Sequence, residues 1–141
     1  MEKIIKVLRE NGYKITPQRR AVILALLKCD KFLTVQQILD FVKQSNPDVS
    51  LDTVYRNLDI FVQLGLVHEI HTNNREGNVF ELMISGHHHH LVCLKCGEME
   101  CMENCPVNDR YFEEAEKKGF AVKRHIFEVY GYCKNCKEFK E

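Results

Sequence analysis

The chain has 141 residues, 45% hydrophobic and 28% charged, with few Pro or Gly. That is a globular composition for one or two small domains. It excludes a membrane-spanning chain, since no apolar stretch approaches the length of a bilayer span. The net charge is zero but unevenly spread: residues 1–29 hold seven Lys or Arg against two Glu, leaving +5 there and −5 on the rest. A basic end suits an anionic partner such as a phosphate backbone, or is simply a solvated helix surface. Neither half would bury a generous core alone, so a metal staple or an oligomer is expected to help.

The opening segment, Met1 to Glu10, is amphipathic, with Ile4, Val7 and Leu8 as one stripe. It has no long apolar run or cleavage site of an export signal. The seven cysteines are therefore expected in a reducing, cytoplasmic setting, as metal ligands or redox groups and not as a disulfide scaffold. Thr16-Pro17 predicts the start of a second helix, about 17–28. Thr can cap, and Pro at the first helical position lacks only an N–H that would be orphaned anyway. This helix is apolar nearly all round and is expected to be central, with Cys29 read as a small core hydrophobe. Thr34-Val-Gln-Gln37 spells a capping box, and Val35, Ile38, Leu39 and Val42 follow at helical spacing. After the loop Ser45–Val49, Ser50 predicts a capped fourth helix with Leu51, Val54, Leu58, Phe61 and Val62 inward. Gly65 ends it as a left-handed cap.

Two extended runs, Leu66–His71 and Val79–Met83, flank the turn segment Thr72–Asn78 and predict a hairpin. Helices followed by a hairpin make a winged helix-turn-helix, with helix 51–64 as the recognition helix. Its solvent face carries Asp52, Tyr55, Arg56, Asp59 and Gln63, and Arg and Tyr can reach bases or phosphates. A plain helical bundle with an exposed Arg is the alternative. Residues 84–141 change character. Extended runs are expected at 90–95 and 98–102, then a short helix at 109–118 between Asn108 and Gly119. A long alternating strand from Phe120 to Tyr130 is expected to close a small α+β domain. Its apolar residues, Ile126 and Val129 among them, outnumber what the domain can cover, so a second copy is expected to pair with it.

Cys93-x-x-Cys96 and Cys133-x-x-Cys136 supply four thiolates, the ligand set of a closed tetrahedral zinc site. Thiolates favour zinc over harder ions. A redox dithiol is the other reading, but two such pairs without a thioredoxin-like βαβ context argue against it. His87-His-His-His90 stands just upstream. On a strand, alternate side chains face opposite sides, so His88 and His90 would serve one site and His87 and His89 another. A solvated polar run is the alternative. Candidate co-ligands are His68, His71 and Glu81 upstream, and Cys101, Cys105, Asp109 and His125 downstream.

Taken together, Lys14-Ile-Thr-Pro-Gln-Arg19, Thr53-Val-Tyr-Arg56-Asn-Leu, the His-rich run leading into Cys93-x-x-Cys96-Gly97, and Tyr130-Gly-Tyr-Cys133-x-x-Cys136 resemble the ferric uptake regulator family across almost the whole chain. The resemblance implies an α+β protein. An N-terminal winged helix-turn-helix DNA-binding domain, here 1–83, would precede a small C-terminal α/β dimerisation domain, here 84–141, with structural zinc on Cys93, Cys96, Cys133 and Cys136. It implies a regulatory metal at the interdomain hinge on His68, Glu81, His88 and His90. It also implies a further site on His87, His89 and His125, where the family's acidic position is Asn108 here and Cys105 and Cys101 are nearby thiols. DNA contacts are expected from Lys14, Arg19, Thr53, Tyr55 and Arg56. The family histidine before the third helix is replaced by Phe32 or Leu33, and the carboxylate after the first Cys pair by Cys101. Those departures, and the Cys105-Pro106 step, point from Fe(II) toward Zn(II). The missing histidine also argues against a peroxide sensor.

The expected function is a metal-dependent, DNA-binding repressor of metal-uptake genes, most simply zinc-responsive. It would be a homodimer on a palindromic double-stranded operator, with no membrane, no small-molecule substrate and no enzymatic activity. An iron-, manganese- or nickel-responsive regulator of the same family is the alternative for the second ion. A thiol oxidoreductase or a metal-storage protein is the alternative from another class.

Overall fold

The computed structural model describes residues 1–141 except 29–31, 73–76, 84–88, 103, 124 and 139–141. Cys29, His87 and His88 therefore lie outside the described residues. The chain divides into two units, Met1–Ser85 and Gly86–Glu141.

In the first unit, helices α1 (Glu2–Glu10), α2 (Pro17–Lys28), α3 (Val35–Lys43) and α4 (Leu51–Gln63) precede a three-stranded sheet. Helices α2, α3 and α4 each begin where a short polar side chain replaces the missing intrahelical partner. The Arg19 N–H donates to Thr16 Oγ1 at 3.1 Å, and the Thr53 N–H to Ser50 Oγ at 3.2 Å. Thr34 and Gln37 form the reciprocal capping box, at 3.2 Å and 2.9 Å. Gly65, at φ 73°, turns the chain out of α4. Helix α2 packs on both α3 and α4 and buries Ala21, Val22, Ile23, Ala25 and Leu26. The wing is the antiparallel pair β2 (Val67–Ile70) and β3 (Val79–Leu82), with β1 (Leu33–Thr34) on the far side of β3. Strand β1 has no counterpart in the sequence reading, because two residues are too short to show a period. Leu51 was expected inward but is 41% exposed. It is the first residue of the helix, and the inward stripe starts a turn later, at Val54. Asn57 instead joins that buried face.

The second unit is a three-stranded sheet in the order β5-β4-β6. Strand β4 (His89–Cys93) runs antiparallel to β5 (Met99–Met102) and parallel to β6 (Glu128–Gly131). Helix α5 (Asp109–Lys117) crosses over between β5 and β6, capped by Asn108, whose Oδ1 accepts from the Arg110 N–H at 3.1 Å. Among the described residues of the expected strand 120–130, Glu128–Tyr130 are paired, and the pairing runs on to Gly131. A strand needs a neighbour's backbone groups, and pairing with β4 covers four residues. Phe120, Val122, Ile126 and Val129 stay 41–68% exposed in the single chain.

Candidate metal centres and nucleic-acid interface

The two CxxC pairs converge. The four thiols of Cys93, Cys96, Cys133 and Cys136 lie within 4.8 Å of one another, and the Cys96 and Cys133 sulfurs are 3.7 Å apart. A tetrahedral ion with metal–sulfur bonds of about 2.3 Å requires about 3.8 Å between sulfurs, so the set fits zinc. Each pair folds as a tight turn. The Gly97 N–H donates to the Cys93 carbonyl at 3.0 Å, and the Cys136 N–H to the Cys133 carbonyl at 2.8 Å. The turns aim amides at sulfur: Cys93 Sγ accepts from the N–H groups of Cys96 (3.5 Å) and Cys133 (3.4 Å). These two amides lower the Cys93 pKa to about 6. Desolvation and the neighbouring thiols raise Cys136 to about 12.

A second cluster, also within the second unit, is a triangle. His89 Nε2 is 3.2 Å from Cys105 Sγ, Cys105 Sγ is 3.3 Å from His125 Nε2, and the two imidazole nitrogens are 3.2 Å apart. A tetrahedral zinc ion with one sulfur and two nitrogen ligands spaces them by about 3.3–3.6 Å. His89 is held by β4 and is only 2% exposed, with the Phe127 ring edge-on to it, while Phe112 packs on His125. Asn108, at the position where the resemblance implies an acid, is spent on capping α5. Cys105 supplies the third donor. Cys101 stands elsewhere, opposite His90 in the β4–β5 register, and joins no such cluster among the described residues.

The residues expected at the hinge sit as follows. His68 and Glu81 are direct cross-strand partners in the wing, both half-buried. His90 lies on β4 with no exposed surface. It neighbours His89 in sequence, so the two side chains leave opposite faces of the strand. His71, a weaker candidate, is an exposed residue whose Nδ1 is 3.0 Å from Asn78 Nδ2.

On the other side of the chemistry, Lys14, Tyr55 and Arg56 are exposed in the first unit, the last two on the outer face of α4. Thr53 is half-buried and bonded to the Ser50 cap. Arg19 is half-buried too, and its Nε donates to Asn57 Oδ1 at 2.7 Å. Asn57 is buried in the face that α4 turns to the core. A polar residue inside an apolar stripe leaves no periodic trace, and its partner lies 38 residues away.

A helix-turn-helix with a β wing, followed by a thiol-pinned sheet, defines a winged-helix regulator with metal-ligand clusters. Residues 10–130 match the ferric uptake regulator family, and the chain belongs to that family of metal-responsive transcription regulators. It is similar to the ferric uptake regulation protein of Staphylococcus aureus, with 31% identity over 95% of this chain and 96% of that protein. It is 33% identical to the peroxide-responsive repressor PerR of Staphylococcus epidermidis, over 98% and 91%. Among solved structures it is similar to a zinc uptake regulator complexed with zinc and DNA, with a TM-score of 0.65, 25% identity, and coverage of 97% and 92%.

Proposed function

We propose that the chain is a zinc-responsive, DNA-binding repressor of metal-uptake genes, acting in the cytoplasm as a homodimer on palindromic DNA. The observation that carries the choice of metal is Cys105 in the triangle with His89 and His125. A thiolate there favours zinc over Fe(II) and Mn(II), which take oxygen donors more readily. Cys93, Cys96, Cys133 and Cys136 hold a structural zinc, whose chemistry is to replace a missing core with four strong bonds. His89, Cys105 and His125 hold a second zinc. His68 and Glu81 of the first unit, with His90 and the expected His88 of the second, supply ligands for the regulatory ion. Shared ligation restrains the two units relative to each other and so fixes the spacing of the two α4 helices in a dimer. Tyr55 and Arg56 then read the major groove, and Lys14 approaches the minor groove. No step asks for a catalytic group. A regulator answering to iron, manganese or nickel is the second reading, because the Glu81 carboxylate makes the hinge set harder than the Cys105 set.

The test is binding to operator DNA by protein that retains one zinc per chain, titrated anaerobically with buffered free Zn(II), Fe(II), Mn(II) and Ni(II). Zinc is expected to switch binding on at far lower free concentration than iron. A response to iron first would turn the reading to the second one. His90→Ala is expected to abolish the metal response while leaving a folded dimer, and a full response in that variant would remove the hinge assignment.

A further inference from the structure

We propose that Arg19 works in DNA recognition as a positioning residue, clamping the turn that carries Lys14 to the recognition helix through Asn57, and is not itself a DNA contact. The inference rests on the DNA-binding reading above. Arg19 stands in the first turn of α2, and the contacts of its head among the described residues are internal. Its Nη1 donates to the Lys14 carbonyl at 2.5 Å, its Nε to Asn57 Oδ1 at 2.7 Å, and its guanidinium lies 5.5 Å from the centre of the Tyr13 ring. Asn57 is 4% exposed, so it can touch no DNA, and its Nδ2 donates to the Thr53 carbonyl one turn back at 2.9 Å. One side chain thus joins residues 13–14 to residues 53–57. The exposed Lys14 lies at one end of that link, and the exposed Tyr55 and Arg56 are immediate neighbours of Asn57 at the other.

The chemistry suits a spacer. A guanidinium is a planar fork with fixed donor directions, so it sets distance and angle together, where an ammonium sets only a charge. Hydrogen bonds from a charged donor to a buried acceptor are among the stronger ones, and the buried Asn57 amide would be left short of a partner without Arg19. Losing the clamp leaves Lys14, Tyr55 and Arg56 in place but lets their separation wander. The loss should then fall on specific binding, which needs all three in register. Non-specific binding draws on charge alone.

The probe is a duplex selected from random DNA by the wild-type, metal-loaded protein. Arg19→Lys keeps the charge and removes the fork. It is expected to bind that duplex about tenfold more weakly while binding unrelated DNA as before, a loss typical of a strong hydrogen bond. Asn57→Ala is expected to lose the same factor, and the double variant no more than either single one, as for residues acting through one link. A merely structural role would lower the unfolding temperature but leave the ratio of specific to unrelated binding unmoved, and that result overturns the proposal. Wild-type affinity in Arg19→Lys would also overturn it, by making Arg19 a phosphate contact. Should Asn57→Ala not fold, the ratio in Arg19→Lys decides alone. If the wild-type protein selects no duplex, the DNA reading itself falls, and the clamp with it.

Discussion

In the first unit sixteen buried apolar side chains, from Ile4 to Phe80, form one cluster that spans four helices and the sheet. In the second, the buried side chains among the described residues are His89, His90, Val92 and Cys93, and α5 buries none. Three of those four are metal-ligand types. The contrast shows two ways to hold a small fold. The first unit removes enough apolar surface from water to be stable by burial. The second shows no comparable core among the described residues, and its converging thiols join residues distant in sequence. The four thiols enclose the segment between Cys96 and Cys133, which contains β5, α5 and β6. Its exposed Phe120, Ile126 and Val129 are apolar surface that a second copy would cover.

The sharpest way to break this contrast is to remove the cross-link. Cys93→Ser, or a strong chelator, is expected to unfold the second unit and abolish dimerisation while the first stays folded. Structural zinc contributes on the order of 10–16 kcal/mol in small domains. Hydrogen exchange resolved by segment would read it, and a protected β4 after zinc removal would refute the cross-link account. The converse change is Phe61→Ala, at the centre of the first core. It is expected to cost that unit about 3–5 kcal/mol and to leave zinc content at the cysteines unchanged, checked by denaturant unfolding and metal analysis.

The smallest effect is in protons. Cys93, near pKa 6, is already mostly thiolate at pH 7, while Cys96 and Cys136 are raised above their ordinary value and still protonated. Zinc uptake at pH 7 should therefore release at least two protons but fewer than four, measured by calorimetry in buffers of different ionisation enthalpy. The sign follows from the lowered pKa. In the metal-free unit the Cys93 amide contacts stabilise above pH 9 and lose that effect as pH falls through 6. Release of four protons would mean that those amides do not hold the thiolate.

The two units also differ in how plainly the sequence spoke. Caps at Thr16, Thr34 and Ser50 and the stop at Gly65 lie within a few residues of what they control, so α2, α3 and α4 were legible from local chemistry. The cysteine pairs were legible because ligand spacing is itself local. The strand through Phe120 was not, since alternation shows which residues could line a face but not whether a neighbouring strand exists to pair with. The triangle on His89 was half legible. The strand period separated His89 from His90, but the choice of Cys105 over Asn108 and Asp109 depended on which side chain α5 would use as its cap. Asn57 was illegible, for the reason that its partner is on another helix.

Strand β4 makes two adjacent residues, His89 and His90, tenants of opposite faces. One peptide unit, about 3.3 Å of chain, is then all that separates a donor on one face from a donor on the other. Such an arrangement tolerates substitution and is intolerant of insertion or deletion. A histidine exchanged for another donor alters one face, whereas a single residue gained or lost at Leu91 or Val92, between the pair and Cys93, exchanges the faces that His89 and His90 occupy. In that two-residue spacer, length rather than identity becomes the inherited information.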